Sequence, residues 1–277
     1  MTRILVIASV LAAVPAGAVP FPADSAYLPL HCGGQVMTDT RADDPPFLDA
    51  LDLVGDDIAP TGLRASDAQY LYLRIRLDQD PAPNGNVMAS SWGMAFDLDG
   101  DRTTYELLVL ADGTATPAIV SLSANTPITV PNSPTDPADA PPVKTYAFNA
   151  NARSIMTTTT IGGDPDYFLD IAVPWADLVP LGLDHATKTY VWAASSDTAD
   201  SLDGDFACDG GAGPPALDSG AASDQTTGDP TMDPNGGASA LHLEGGGGCN
   251  AGGSHAGWLL VLALLTLGPR AARGRPS

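Results

Sequence analysis

Between Tyr70 and Asp78 the chain alternates with a period of two: Leu71, Leu73, Ile75 and Leu77 fall on one side, and Tyr72, Arg74 and Arg76 on the other. Successive side chains of a strand point to opposite faces, whereas a helix would repeat every ~3.6 residues, so this run specifies a β-strand with one apolar face. Such a face must be laid against a second layer. Further short apolar runs at Gly62–Ser66, Trp92–Leu98, Thr103–Ala111, Ala118–Ser123, Thr145–Asn149, Ser154–Ile161, Tyr167–Val173 and Thr189–Ser195 are separated by clusters of Asp, Gly, Pro and Asn. Many short strands divided by turn residues predict an all-β fold, a two-sheet antiparallel β-sandwich of jelly-roll-like type. The one helical expectation is a turn or two at Pro174–Leu181, with Pro174 at the first helical position. Thr126–Pro142, rich in Pro and Asp, reads as a long loop within the sandwich.

The charge balance agrees with strands and loops. Of 277 residues, 33 are acidic and 12 basic, and only Glu106 and Glu244 of the acids are glutamates. Aspartate is a turn former and a poor helix former. Lys144 and Lys188 are the only lysines, and the basic residues form no stripe able to neutralise phosphates, which argues against nucleic-acid binding.

Both ends read as export signals. Residues 1–18 have a basic start at Arg3, an apolar run from Ile4 to Val14 and the small triplet Ala16-Gly17-Ala18, the layout of a secretory signal peptide with cleavage after Ala18. Residues 19–209 are then the folded domain. Residues 210–248, dominated by Gly, Ala, Asp, Ser and Pro, are too poor in large apolar groups to bury a core and read as a flexible stalk. Residues 249–277 hold Cys249, an apolar run from Ala256 to Leu267, and Arg270, Arg273 and Arg275. Twelve helical residues rise about 18 Å against a hydrocarbon core of about 30 Å, so the run is short for a permanent span. It suits a stop signal with its arginines retained inside and Cys249 at the outer face as the processing or attachment point. An unprocessed single-span anchor is the alternative.

Three cysteines are an odd number for a secreted chain. With Cys249 assigned to the tail, Cys32 and Cys208 remain as a pair bracketing the domain, and a bridge between them is the simplest assignment. Chain-entropy estimates put the closure of so long a loop at about 5 kcal/mol. Two free thiols are the alternative.

Gly248-Cys249, the apolar run and the terminal arginines resemble the sorting tails of myxobacterial-type (MYXO-CTERM-like) surface proteins. That resemblance implies that Cys249 is the processing or lipid-attachment position and that the tail is removed. In the domain, Leu53-Val54-Gly55-Asp56, the run ending at Asp80-Pro81, Trp92-Gly93 leading into Phe96-Asp97-Leu98-Asp99-Gly100-Asp101, and Asp170-Ile171-Ala172-Val173-Pro174-Trp175 together resemble the β-sandwich domains related to carbohydrate-binding module family 9 and the DOMON-like domains. The resemblance implies an antiparallel sandwich whose members bind sugars, haem or other ligands. No haem-ligating Met and His pair can be matched here, nor a pair of sugar-stacking tryptophans.

Three constellations bear on chemistry. Asp97, Asp99 and Asp101 alternate around Gly100, with Glu106 following, a spacing that can supply oxygens to calcium. The spacing is not that of an EF-hand, and a tight hairpin turn at Asp99-Gly100 accounts for it without a metal. Ser201-Leu202-Asp203-Gly204-Asp205 echoes the pattern and reads as a polar surface loop. Tyr72, Arg74 and Arg76 form the polar-aromatic face best suited to ligand contact; the alternative is an outer face whose arginines pair with aspartates. Trp92, Trp175, Trp192, Tyr70 and Tyr105 are further aromatics able to stack on a sugar, although the contexts of Trp175 and Trp192 favour burial. His31, His185, His242 and His255 lie near no nucleophile motif, so no catalytic residue is named.

The expectation is an exported, surface-anchored, non-catalytic binding domain for polysaccharide or another envelope or matrix component, contacting the membrane through its tail. No cofactor is expected beyond calcium. A structural or adhesion module contacting a surface protein is the second reading, and a secreted hydrolase a distant third.

Overall fold

The computed structural model describes residues 17–32, 35–41, 50–100, 104–131, 133–187, 189–207 and 223–224. Among these residues thirteen strands lie in the order β1 (Leu28–Pro29), β2 (His31–Cys32), β3 (Gln35–Val36), β4 (Gly62–Ser66), β5 (Tyr70–Leu77), β6 (Ser91–Asp97), β7 (Leu107–Asp112), β8 (Ile119–Ala124), β9 (Lys144–Ala147), β10 (Ala152–Met156), β11 (Tyr167–Pro174), β12 (Tyr190–Ser196) and β13 (Ser223–Asp224). They form two antiparallel sheets, a five-stranded one ordered β1-β4-β5-β11-β10 and an eight-stranded one ordered β3-β2-β13-β12-β6-β7-β8-β9. The all-β sandwich predicted from the alternating runs is the fold.

The apolar row of β5 enters the layer between the sheets. Leu71, Leu73, Ile75 and Leu77 pack there with Leu169, Ile171 and Val173 of β11, and with Trp92, Met94, Phe96, Leu107 and Val109 of β6 and β7. β6 and β7 are buried on both faces, because a second apolar cluster covers the outer side of their sheet: Leu108 and Leu110 meet Tyr105, Ala138, Trp192, Leu202 and Phe206. That double burial explains why Leu107–Ala111 is a continuous apolar run instead of an alternating one. Gly93 is fixed by the same packing, since a Cβ there would lie 1.9 Å from the Val109 carbonyl oxygen.

Several boundaries differ from expectation. β6 and β7 are joined by residues 98–106, longer than the expected two-residue turn, with Gly100 at φ 81°. Pro174 ends β11 opposite Tyr70 and caps the short helix Trp175–Leu178 instead of opening it. A 3-10 turn at Val179–Leu181 follows and stops at Gly182, whose φ of 96° suits a glycine. Ser201–Phe206 is not a polar surface loop: Leu202, Asp205 and Phe206 are buried, and Asp205 accepts from the Leu53 amide. Asp205 thus serves backbone from the other end of the domain, whereas Asp203 accepts from the nearby Ser196 hydroxyl. Ser223 and Asp224, within the expected stalk, pair with β2 and β12, as backbone donors and acceptors alone permit.

Candidate functional site

Because β5 is central in the five-stranded sheet, its second face, Tyr72, Arg74 and Arg76, is flanked on both sides. Register sets Arg74 opposite Asp170 of β11, and Asp170 opposite Arg153 of β10; one residue pair along, Arg76 faces Phe168. Arg74 donates to Asp170 through Nε at 2.6 Å and Nη2 at 3.0 Å, the two-point geometry a planar guanidinium makes with a carboxylate. Arg153 donates to the second Asp170 oxygen at 2.8 Å. Rings complete the row: the Arg74 guanidinium lies 3.7 Å from the Tyr27 ring centre and 4.2 Å from that of Phe168, which Arg76 approaches on its own account at 4.4 Å. Burial disfavours the Arg74 cation, yet the hydrogen bond and charge of Asp170 outweigh it and hold the guanidinium above its ordinary value. Arg76, with a longer 3.7 Å contact to Asp166, is instead lowered by burial.

The expected ligand face is therefore not open. Tyr72, Arg74 and Arg76 are 1%, 1% and 4% exposed. Residues 19–27 lie across Tyr72 and Arg74: Val19 and Tyr27 pack with Tyr72, Ala65 and Ala172, and Phe21 sits against Tyr72 at 5.9 Å and beneath Arg153 at 4.6 Å. Asp24 reaches Arg74 at 3.0 Å while its own side chain stays 75% exposed. The Tyr72 hydroxyl donates to Asp67 at 2.7 Å. The physical reason for the cover is that an aromatic and aliphatic surface this large, once formed on a central strand, is lowered in free energy by any nearby apolar segment. Of the two sequence readings for this face, arginines paired with aspartates describe the contacts, though under cover and not in solvent.

The acidic turn is the second feature. β6 and β7 bring Asp97 opposite the start of β7, and Asp97, Asp99 and Glu106 each place a carboxylate oxygen within 4.8 Å of the others. Asp97 Oδ1 accepts from the Asp99 and Gly100 amides at 3.1 and 2.6 Å, and Glu106 from the Leu98 amide at 2.7 Å. These bonds close the turn by themselves. Asp101 lies outside the described residues, and Glu106 takes the third corner that the alternating spacing had assigned to it.

Other residues singled out from the sequence are internal. Trp92, Trp192 and Tyr105 are buried; the Trp92 indole donates to the Ala50 carbonyl at 2.8 Å, and that of Trp175 to Asp67 at 3.0 Å. His185 stacks on Trp175 with ring centres 4.0 Å apart. Cys32 belongs to β2, whereas its expected partner Cys208, and Cys249, lie outside the described residues. Among the described residues no helix is long and apolar enough to cross a membrane.

Sequence reasoning missed Asp24, Phe21, Tyr27, Arg153 and Phe168 as parts of this face. The alternation of Phe168, Asp170 and Ala172 with Leu169, Ile171 and Val173 is a signal that could have set Phe168 and Asp170 on an outer face, but only the pairing of β11 with β5 sets them beside Arg74 and Arg76. The covering segment left no periodic signal. No family model matches this chain, and neither a curated protein nor a solved structure is significantly similar to it.

Proposed function

We propose that this chain is an exported, surface-anchored, non-catalytic binding domain whose ligand is a polysaccharide or another component of the envelope or matrix. The observation that carries the reading is the outer face of the five-stranded sheet, where Arg74, Arg76, Arg153, Tyr72 and Phe168 stand on rigid paired strands, the support a binding constellation needs, with residues 19–27 lying over part of it. The resemblance to carbohydrate-binding and DOMON-like sandwiches points the same way. The signal peptide at residues 1–18 directs export, the tail at residues 249–277 meets the membrane, and Cys249 is the point of attachment. Cys32 and Cys208 close the domain with a bridge, which peptide mapping of the non-reduced exported protein would reveal as one linked pair; free thiols at both positions would refute it. Calcium is the one cofactor proposed, at Asp97, Asp99 and Glu106, with Asp101 as a further ligand.

A polysaccharide pull-down and glycan array with the intact exported protein test the function. Retention by glycan supports it. Retention by a surface protein and by no glycan would favour an adhesion module, and turnover of chromogenic glycosides would overturn the non-catalytic reading.

A further inference from the structure

The chain carries a net charge of −21, yet three of its 12 basic residues, Arg74, Arg76 and Arg153, stand side by side on one sheet face. The sheet and its loops answer with two carboxylates in ion-pair range, Asp170 and Asp166. Three guanidiniums against two carboxylates leave one positive charge, and Asp24 of the covering segment supplies the third acid. We propose that this face binds a carboxylated polysaccharide, and that residues 19–27 occupy it as an intramolecular competitor, with Asp24 where a uronate carboxylate of the ligand would sit. The inference rests on the glycan-binding reading above and narrows its ligand class.

The two acids on Arg74 are built differently. Asp170 is fully buried and held by strand pairing on both sides. Asp24 sits on a three-residue 3-10 turn with its carboxylate in solvent, and exposed ion pairs hold weakly. Exchange for a carboxylate from outside therefore costs little. The rest of the segment is anchored at its two ends by buried side chains, Val19 and Tyr27, and is mostly exposed between them. Among the described residues, one backbone hydrogen bond ties residues 19–27 to the sandwich, from the Val19 nitrogen, the amino terminus once residues 1–18 are removed, to the Ala150 carbonyl at 2.9 Å, before ladder pairing starts at Leu28. Tyr72 adds a long contact to the Pro20 carbonyl at 3.3 Å. A segment held by side chains and few backbone bonds opens at the low end of the local-stability range.

The rings complete the correspondence. Tyr27 and Phe21 lie against the guanidiniums of Arg74 and Arg153, where a sugar ring between two carboxylates would lie. Tyr70, Tyr72 and Phe168 remain on the sheet beneath as an aromatic floor, the rings of Tyr70 and Tyr72 tilted by 41°. A net charge of −21 repels a polyanion, so among the described residues this row of guanidiniums is where such a ligand is favoured.

The test uses the intact exported protein with polygalacturonate as the probe and neutral dextran as control, in titrations at low and high salt. Wild type should bind polygalacturonate weakly and in a salt-sensitive way. The double variant F21A/D24N should bind about fivefold to tenfold more tightly, the scale of an exposed ion pair and a partly buried ring. Adding R153Q to that variant should remove the gain. On unmodified protein, hydrogen exchange in peptides covering residues 20–27 should accelerate when polygalacturonate is bound, a readout that needs no variant to fold. Unchanged exchange with polymer bound, or a loosened variant that binds no better, would overturn the proposal. Binding to dextran but not polygalacturonate would overturn it and leave the glycan-binding reading standing; binding to neither, by wild type or variant, would overturn it as well and leave the broader reading to the glycan array.

Discussion

Arg74 and Asp170, 96 residues apart in sequence, face each other across β5 and β11 through two hydrogen bonds and are both excluded from solvent. Asp170 also answers Arg153, so one carboxylate holds two guanidiniums. Breaking a buried pair by removing one partner strands a charge, which costs about 3–5 kcal/mol. Asp170→Ala should lower stability by that amount in urea unfolding, whereas Asp24→Asn, whose carboxylate is exposed, should stay within about 1 kcal/mol. Equal effects would mean that the two acids share the guanidinium evenly.

The acidic turn separates two outcomes in a thermal melt. Calcium that binds the native fold raises Tm by mass action. If it does, Asp97→Asn and Glu106→Gln should each abolish the rise. If calcium leaves wild type unmoved, the carboxylates serve the turn alone, and Asp97→Ala, which removes the acceptor of two amide hydrogen bonds, should still lower stability by about 1 kcal/mol.

Asp136 gives the pH dependence. Its burial raises the carboxyl pKa, but hydrogen bonds from the Thr129 hydroxyl, the Val130 amide, Asn125 and the Thr129 amide outweigh it and hold the group below the ordinary aspartate value. A carboxylate depressed in the folded state stabilises the fold above its unfolded value, about 3.9, and that contribution fades as pH falls through the folded one. Wild type should therefore lose stability on acidification below about pH 4 more steeply than Asp136→Asn, itself less stable at pH 7. Parallel pH profiles would assign the acid sensitivity elsewhere.

Cys249 tests the tail. If it is the attachment point, Cys249→Ser should leave the Tm of the exported domain unchanged while the protein is shed or retained with its tail. A Ser variant that localises normally and still carries Arg270 to Ser277 would show a plain anchor.

The sandwich was legible wherever one face of a strand met solvent-like polarity and the other met the core. Tyr70–Leu77 and Tyr167–Pro174 kept their alternation and were placed within a residue. The strands β1, β2, β3 and β13 were not, because pairs of two residues have no period to read. The site was half legible for a similar reason. Tyr72, Arg74 and Arg76 could be grouped from spacing alone, but what lies over them comes from residues 19–27, whose contacts depend on the finished sheet. Glu106 could be suspected from its distance to Asp97; only the register of β6 and β7 turns that distance into an approach.

The placement of β11 beside β5, and of β12 beside β6, also fixes an order in time. Arg74 must wait 96 residues for Asp170, and Asp97 must wait 92 for Thr189 to donate to its carbonyl. A chain delivered N-terminus first holds the apolar side of β5 without its neighbour until β11 has emerged. Closure of such distant pairings is slow relative to local turns. The meander β6-β7-β8-β9, whose partners are adjacent in sequence, is able to organise early, and the five-stranded sheet closes around β5 only after that meander, once β11 has followed it.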